Sequence, residues 1–167
     1  MKNENLIKAF EIITMHKDKQ SFFHGNISEE LIINAENYLN LKFPKSYREF
    51  LLEHGNGFFN GQEFYGICKE DFINSSIPDA IWLTMNERNE FNLDNSLLLI
   101  KESMEYYFAI DTSRNINGEN PIIDLIPGVK KEECNIVAND FGTFFLNEIK
   151  RSLLSSPTCF PALLRVE

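Results

Sequence analysis

The 167-residue sequence has no long apolar run and no paired cysteine motif. No stretch approaches the about 20 consecutive apolar residues that a membrane helix needs, and Met1 is followed by polar residues where a signal peptide would have an apolar core. We therefore expect a cytoplasmic protein without a membrane partner. The three cysteines are odd in number and widely separated, so we expect thiols that serve as small core residues: Cys68, Cys134 and Cys159.

Signatures of phosphate binding are missing from the one glycine-rich stretch, EHGNGFFNGQEFYG at residues 53–66. A phosphate loop follows a strand and supplies a lysine, whereas this stretch follows a predicted helix, has no lysine from Gly55 to Gly66 and carries the acid Glu63. We interpret Gly55 as the end of the helix, Asn56-Gly57 as a turn, and Gly66 as a position too crowded for a side chain.

Motifs of metal sites and of common nucleophiles are missing as well. His16, His24 and His54 lack the spacing of zinc ligands, and there is no Cys-x-x-Cys or Gly-x-Ser-x-Gly. We expect no catalytic site, no metal and no other cofactor. A cysteine and a histidine brought together in space would still make an enzyme, which stays an alternative.

Basic residues are scarce in the middle of the chain. Residues 60–125 hold twelve acids and four bases, which is nearly all of the net charge of −9. Such a negative surface repels nucleic acid and favours a basic protein partner through faster encounter. A solvated acidic surface that only aids solubility is an equally good interpretation of the charge alone.

Helical periodicity and capping residues predict four helices before and within the acidic region. They are an amphipathic helix over residues 4–15, a second helix capped by Ser28, a third after Pro44, and a fourth over residues 79–91. Lys17 to Gly25 is predicted to be a connector, and the first strand is predicted in QEFYGI.

Strand-like runs at Leu97–Ile100, Tyr106–Asp111, Pro121–Ile126 and Cys134–Ala138 follow with short turns, and a last helix begins after Asp140. Short turns predict antiparallel pairing. We therefore predict one α+β domain over residues 1–167, with an antiparallel sheet of about five to six strands and helices packed against it.

Aromatic and acidic residues of the middle region are the candidate partner-binding residues, because aromatics anchor an interface and carboxylates attract a basic partner. We expect Tyr65, Phe91 and Tyr106 to be exposed among the acids, and Trp82 and Tyr107 to pack in the core. The predicted partner-binding set lies near the sheet edge and the following helix: Glu63, Tyr65, Glu70, Asp71, Glu87 and Glu90.

The segment ISEELIINAENYLNLKFPKSYREFLLEHGNGFFNGQEFYGI resembles the signature of the SUKH superfamily, with a helix, an apolar-Pro step, a second helix and a Gly-containing turn before a strand. Residues 136–149, IVANDFGTFFLNEI, are similar to the family's closing strand and helix. The resemblance covers about residues 1–153. Residues 154–167 form a tail that has no recognised counterpart in the signature of this superfamily.

The resemblance implies an α+β fold without catalytic residues. Bacterial members are typically immunity proteins that bind and neutralise polymorphic toxins, often nucleases, so we expect a basic toxin domain as the partner. The alternative is a regulatory scaffold domain of the kind linked to cell-wall glucan synthesis, which binds another cellular protein. The oligomeric state, monomer or weak homodimer, stays open.

Overall fold

A computed structural model of the protein describes residues 2–68, 70–72, 79–104 and 106–154. Within these ranges the chain forms five α-helices, seven strands and a short 3₁₀ helix at Lys131–Glu133. The helices are α1 (Glu4–Met15), α2 (Glu29–Leu39), α3 (Lys45–His54), α4 (Ala80–Phe91) and α5 (Phe141–Leu154). The strands are β1 (Ser21–Phe23), β2 (Gly57–Phe59), β3 (Gln62–Phe64), β4 (Leu97–Glu102), β5 (Tyr107–Asp111), β6 (Ile122–Leu125) and β7 (Ile136–Ala138). The predicted tail lies outside the described residues from 155 onward.

Local sequence signals set the helix ends, as predicted. The Ser28 hydroxyl accepts a hydrogen bond from the Leu31 amide at 3.1 Å and begins α2. The Asp140 carboxylate accepts from the Thr143 amide at 2.8 Å at the start of α5. Gly55 ends α3 at φ 74°, which is a backbone conformation that a side chain disfavours.

The strands form two antiparallel sheets, ordered β1-β2-β3 and β4-β5-β6-β7. The α+β class and the antiparallel meander are confirmed, but the prediction of a single sheet of five to six strands is wrong. The segment predicted as a connector contains β1. Gly57 begins β2 instead of completing a turn, and the hairpin turn between β2 and β3 is made by Asn60-Gly61, both at positive φ.

A backbone hydrogen bond joins the chain after β3 to the larger sheet. β4 has a bulge between Leu99 and Lys101, which leaves Ile100 outside the ladder. The Tyr65 amide donates to the Ile100 carbonyl at 2.8 Å. On the helix side of β4, the Thr84 hydroxyl of α4 accepts from the Leu99 amide at 3.0 Å. Backbone groups at the bulge therefore attach both the chain after β3 and helix α4 to the larger sheet.

One hydrophobic core connects the helices with both sheets. Its centre is aromatic: Phe145 of α5 lies between Phe50 of α3, at 5.3 Å between ring centroids, and Phe64 of β3, at 4.6 Å. Tyr47 of α3 is fully buried, and its hydroxyl donates to the Tyr65 carbonyl at 2.9 Å. This contact fixes the position of Tyr65, where the chain leaves the smaller sheet after β3.

The first turn of α3 is capped by a distant segment. Pro44 stands at the N-cap and gives no side-chain hydrogen bond. The Glu119 carboxylate accepts instead from the Ser46 amide at 3.0 Å and from the Ser46 hydroxyl at 2.7 Å. The turn at Asn117-Gly118, predicted from the sequence, is therefore attached directly to α3.

Candidate protein-binding surface

Four carboxylates and two tyrosines converge where β3, β4, β5 and α4 meet. The register pairs Glu102 of β4 with Tyr107 of β5, and the Tyr107 hydroxyl donates to Glu87 Oε1 of α4 at 3.3 Å. The Tyr65 hydroxyl donates to Glu102 Oε2 at 3.5 Å. The acids of β3 and of the next turn of α4 complete the group, which we call the acid-tyrosine cluster: Glu63, Tyr65, Glu87, Glu90, Glu102 and Tyr107.

The carboxylates of the acid-tyrosine cluster act on the two tyrosines. Burial, with the nearby carboxylates of Glu63 and Glu102, raises the pKa of Tyr65 to about 12. Burial and the carboxylates of Glu87 and Glu102 likewise raise the pKa of Tyr107 to about 12. Both phenols therefore stay protonated at neutral pH and donate hydrogen bonds to the carboxylates.

The surroundings of Glu87 disfavour its ionised form. Burial raises its pKa above the ordinary value, and the charges of Glu90 and Glu102 add to the rise, against the hydrogen bond from Tyr107. A cation placed beside Glu87 would relieve both effects, because an opposite charge favours the ionised form.

The structure brings four of the six predicted partner-binding residues together. Glu63 and Glu90 are exposed as expected. The expectation of an exposed Tyr65 is wrong, since only 8% of it is accessible, and Glu87 is equally buried at 8%. Both contact the larger sheet, Tyr65 through Ile100 and Glu87 through Tyr107, which the sequence pattern does not show. Glu63 and Glu90 are the members of this set that lie exposed at the surface.

The other predicted residues have mixed outcomes. Glu70 and Asp71 are exposed in the loop between β3 and α4, so their role stays a prediction. Phe91 is exposed at 66%, as expected. Tyr106 is half-buried against Phe108, with 5.1 Å between ring centroids.

Two members of the cluster were missed from the sequence, Glu102 and Tyr107. Tyr107 was predicted to lie in the core, yet it is only partly buried and its hydroxyl points to Glu87. The positions of Glu102 and Tyr107 in the sequence are a usable signal, because the two residues flank the short connection between β4 and β5. In the structure the Ser103 amide donates to the Tyr106 carbonyl at 2.8 Å across this connection. A tight antiparallel connection places its flanking residues opposite one another.

A cleft of about 410 Å³ adjoins the acid-tyrosine cluster. It lies between the end of α4 and the loop after β6, and both Glu87 and Tyr107 line it. Exposed apolar side chains form part of its walls, with Phe91 exposed at 66% and Ile126 at 53%. The surface therefore combines an acidic face with an apolar recess, as protein-binding sites commonly do.

Among the described residues, His54 and Cys134 lie in surroundings that do not favour a catalytic Cys–His pair. His54 stacks on Phe10 with 3.4 Å between ring centroids, and burial lowers its pKa. The Cys134 thiol donates to the Lys130 carbonyl at 3.5 Å, and burial raises its pKa, which disfavours the reactive thiolate. Across the described ranges, no three His, Cys, Asp or Glu side chains are arranged to hold a metal ion.

Membrane insertion by a helix has no candidate among the described residues. None of the helices there combines the length and the apolar character that crossing a bilayer requires.

Replacing Glu87 with glutamine is expected to stabilise the protein at neutral pH. A carboxyl whose pKa is raised by folding binds protons more tightly in the folded state, so stability is lost as pH rises from the ordinary value of 4.5 towards the folded value. Glutamine is neutral at every pH and escapes this loss. Urea denaturation of Glu87→Gln and wild type from pH 4 to 7 should show a gap that widens with pH.

The matched control for this series is Glu11→Gln, at an exposed position on α1. It should follow the wild-type stability at each pH. A constant difference between Glu87→Gln and wild type across the range would show that Glu87 is not destabilised by its charge.

Comparison with known families gives one match across most of the described chain. The model of the SMI1-KNR4 cell-wall family, SUKH_6, matches residues 29–145. The matched range begins at α2, extends into α5 and includes the whole acid-tyrosine cluster.

Proposed function

The chain belongs to the SMI1-KNR4 family of the SUKH superfamily, and on this premise we propose that it is an immunity protein that neutralises a toxin by direct binding. It acts in the cytoplasm without catalysis, and its partner is a basic toxin domain, most simply a nuclease. Carboxylates of the immunity protein occupy the place that nucleic-acid phosphates would take on such a toxin. The acid-tyrosine cluster is the observation that carries this proposal.

The geometry of the cluster suits a basic partner. Glu63, Glu90 and Glu102 are exposed on three different elements. Glu63 and Glu102 lie near Tyr65, and Glu90 lies near Glu87. Exposed carboxylates in one region attract a cationic surface over distances near the Debye length, about 8 Å at physiological salt. Rim charges of this kind act mainly on the association rate.

The proposal is tested with the protein encoded by the neighbouring reading frame, which is the candidate toxin. Cells that express this candidate toxin should regain growth when the immunity protein is co-expressed, and pull-down should recover the two proteins together. Reversing the charge at the three exposed acids, with Glu63→Lys, Glu90→Lys and Glu102→Lys, should weaken binding about tenfold or more and flatten its dependence on salt.

A triple variant with the same change in net charge is the control. Glu11→Lys, Glu30→Lys and Glu133→Lys alter exposed acids of α1, α2 and the 3₁₀ helix, away from the cluster. It should bind as wild type does. If both triple variants bind equally well, the acid-tyrosine cluster is not the toxin-binding surface, and if growth is not restored at all, the immunity role is wrong.

A regulatory scaffold is the second candidate function, favoured by the cell-wall description of the matching family. In that case the same surface binds another cellular protein and no toxin is needed. Deleting the gene in cells that lack the neighbouring reading frame separates the two functions. An immunity protein becomes dispensable in such cells, whereas a scaffold gives a cell-wall phenotype.

A further inference from the structure

The cleft beside the acid-tyrosine cluster has both apolar and polar lining residues. Phe91, Leu93, Ile126 and Val129 are apolar, while Glu87 and Tyr107 line the same cleft and are joined by a hydrogen bond. A volume of about 410 Å³ is in the range of sites that receive one extended side chain or a small ligand. The cleft is therefore large enough for a group that the neighbouring surface would bring to it.

The charge around Glu87 in the cleft is negative. Glu87 is 8% exposed, and its nearest charged influences are the carboxylates of Glu90 and Glu102, which oppose its ionisation. The cleft is also lined by Asp94, Lys130, Lys131 and Glu132.

Lys131, which also lines the cleft, already pairs with Ser96 and Asp94. Its ammonium lies 2.6 Å from Ser96 Oγ and 3.3 Å from Asp94 Oδ2. Lys130 is exposed at the rim. The loop that carries both lysines is thereby fixed to the larger sheet, and Glu87 keeps its side of the cleft acidic.

We propose that the cleft receives a single arginine side chain of the partner protein, an inference that rests on the proposed function and names its short-range anchor. The aliphatic stem of arginine would lie along Phe91 and Ile126. The guanidinium group would donate to Glu87 and to the lone pair of the Tyr107 oxygen, which itself donates to Glu87.

Arginine fits the cleft better than lysine does, for physical reasons. Its planar guanidinium is weakly hydrated, stacks on aromatic faces and donates several hydrogen bonds at once. A charge-assisted bond to a largely buried carboxylate is stronger than one at an exposed site. The exposed acids thus accelerate encounter, and Glu87 holds the complex together once the arginine has entered.

The experiment uses two small probes and the full-length protein, with no toxin present. N-acetyl-arginine methylamide and its neutral isostere N-acetyl-citrulline methylamide are titrated into ¹⁵N-labelled protein. The arginine probe should shift the amide signals of Phe91, Leu93, Gly128 and Val129, and the citrulline probe should bind about tenfold more weakly.

Variants locate the charge that is responsible. Glu87→Gln should reduce the affinity for the arginine probe to that for the citrulline probe. Glu133→Gln, which removes an exposed acid that does not line the cleft, should leave that affinity unchanged. Because Glu87→Gln is expected to be at least as stable as wild type, a lost signal cannot be attributed to unfolding.

Three results would overturn the arginine site: equal binding of the two probes, shifts confined to other residues, or an unchanged affinity in Glu87→Gln. The proposed function fails independently, through growth rescue. If the probe binds as described but rescue fails, the arginine site stands and the toxin assignment falls. If growth rescue succeeds and the two probes bind equally well, the toxin assignment stands and the arginine site falls.

Discussion

Replacing Glu36 with alanine is expected to lower the free energy of unfolding by about 3 kcal/mol, because it breaks a buried charge network. Glu36 of α2 is 3% exposed. Its carboxylate accepts from the Phe43 amide at 2.9 Å and from the Lys42 ammonium at 3.0 Å, and it pairs with Arg48 of α3. Alanine leaves the Phe43 amide without its acceptor and the guanidinium without this partner. The measurement is urea denaturation at pH 7.

A pH series checks that the effect is electrostatic. Burial raises the pKa of Glu36, but the hydrogen bonds from Phe43, Lys42 and Arg48 outweigh it and leave the pKa below 4.5. The contribution of the carboxylate is therefore complete above pH 4.5 and is lost as pH falls through the folded value. The gap between wild type and Glu36→Ala should narrow in acid.

The control for Glu36 is Glu30→Ala, which removes an exposed acid from the same helix. It should cost only the few tenths of a kcal/mol, roughly 0.5, that a favourable helix-dipole charge contributes. If Glu36→Ala loses no more stability than Glu30→Ala, the network at the α2–α3 corner does not hold the two helices together.

Substituting alanine for Gly66 is expected to be as damaging as the loss of Glu36, at about 3 kcal/mol or more. A Cβ at this position would lie 1.7 Å from the Gly55 carbonyl oxygen and 2.9 Å from Leu51 Cδ2. The first atom belongs to the backbone at the end of α3, so relief requires the helix and the chain after β3 to separate. Thermal and urea denaturation both report the loss.

Gly61→Ala supplies the comparison for Gly66→Ala. At Gly61 an added Cβ meets no atom within 4 Å, and the only penalty comes from φ of 79°, which costs about 1–2 kcal/mol for a residue with a side chain. The predicted order is that Gly66→Ala is the less stable variant. The opposite order would mean that the contact between Gly66 and Gly55 relaxes easily.

The helices and the meander of the larger sheet were predictable because their signals are local. Ser28, Pro44, Gly55 and Asp140 mark helix ends through hydrogen bonds or backbone angles within a few residues. Of the smaller sheet, the strand predicted in QEFYGI is confirmed as β3, but β1 and β2 were not predicted. β1 and β2 have three residues each, and such short strands carry almost no alternation by which to recognise them.

The candidate surface was predicted in part for a related reason. Charge density along the sequence pointed to the region of the acid-tyrosine cluster, and Glu63 and Glu90 are exposed there. Burial of Tyr65 and Glu87 depends on the bulge in β4 and on the docking of α4, which are contacts between distant segments. Glu102 joins the cluster through strand pairing that a one-dimensional pattern only suggests.

The cap on α3 couples two regions that are far apart in the chain. The Ser46 amide and hydroxyl donate their hydrogen bonds to the Glu119 carboxylate, which lies 73 residues further along. The Ser46 amide in the first turn of α3 therefore has no protein acceptor until the segment between β5 and β6 has docked. This long-range cap makes completion of α3 conditional on a turn far along the chain, so that the two segments gain and lose order as one cooperative unit.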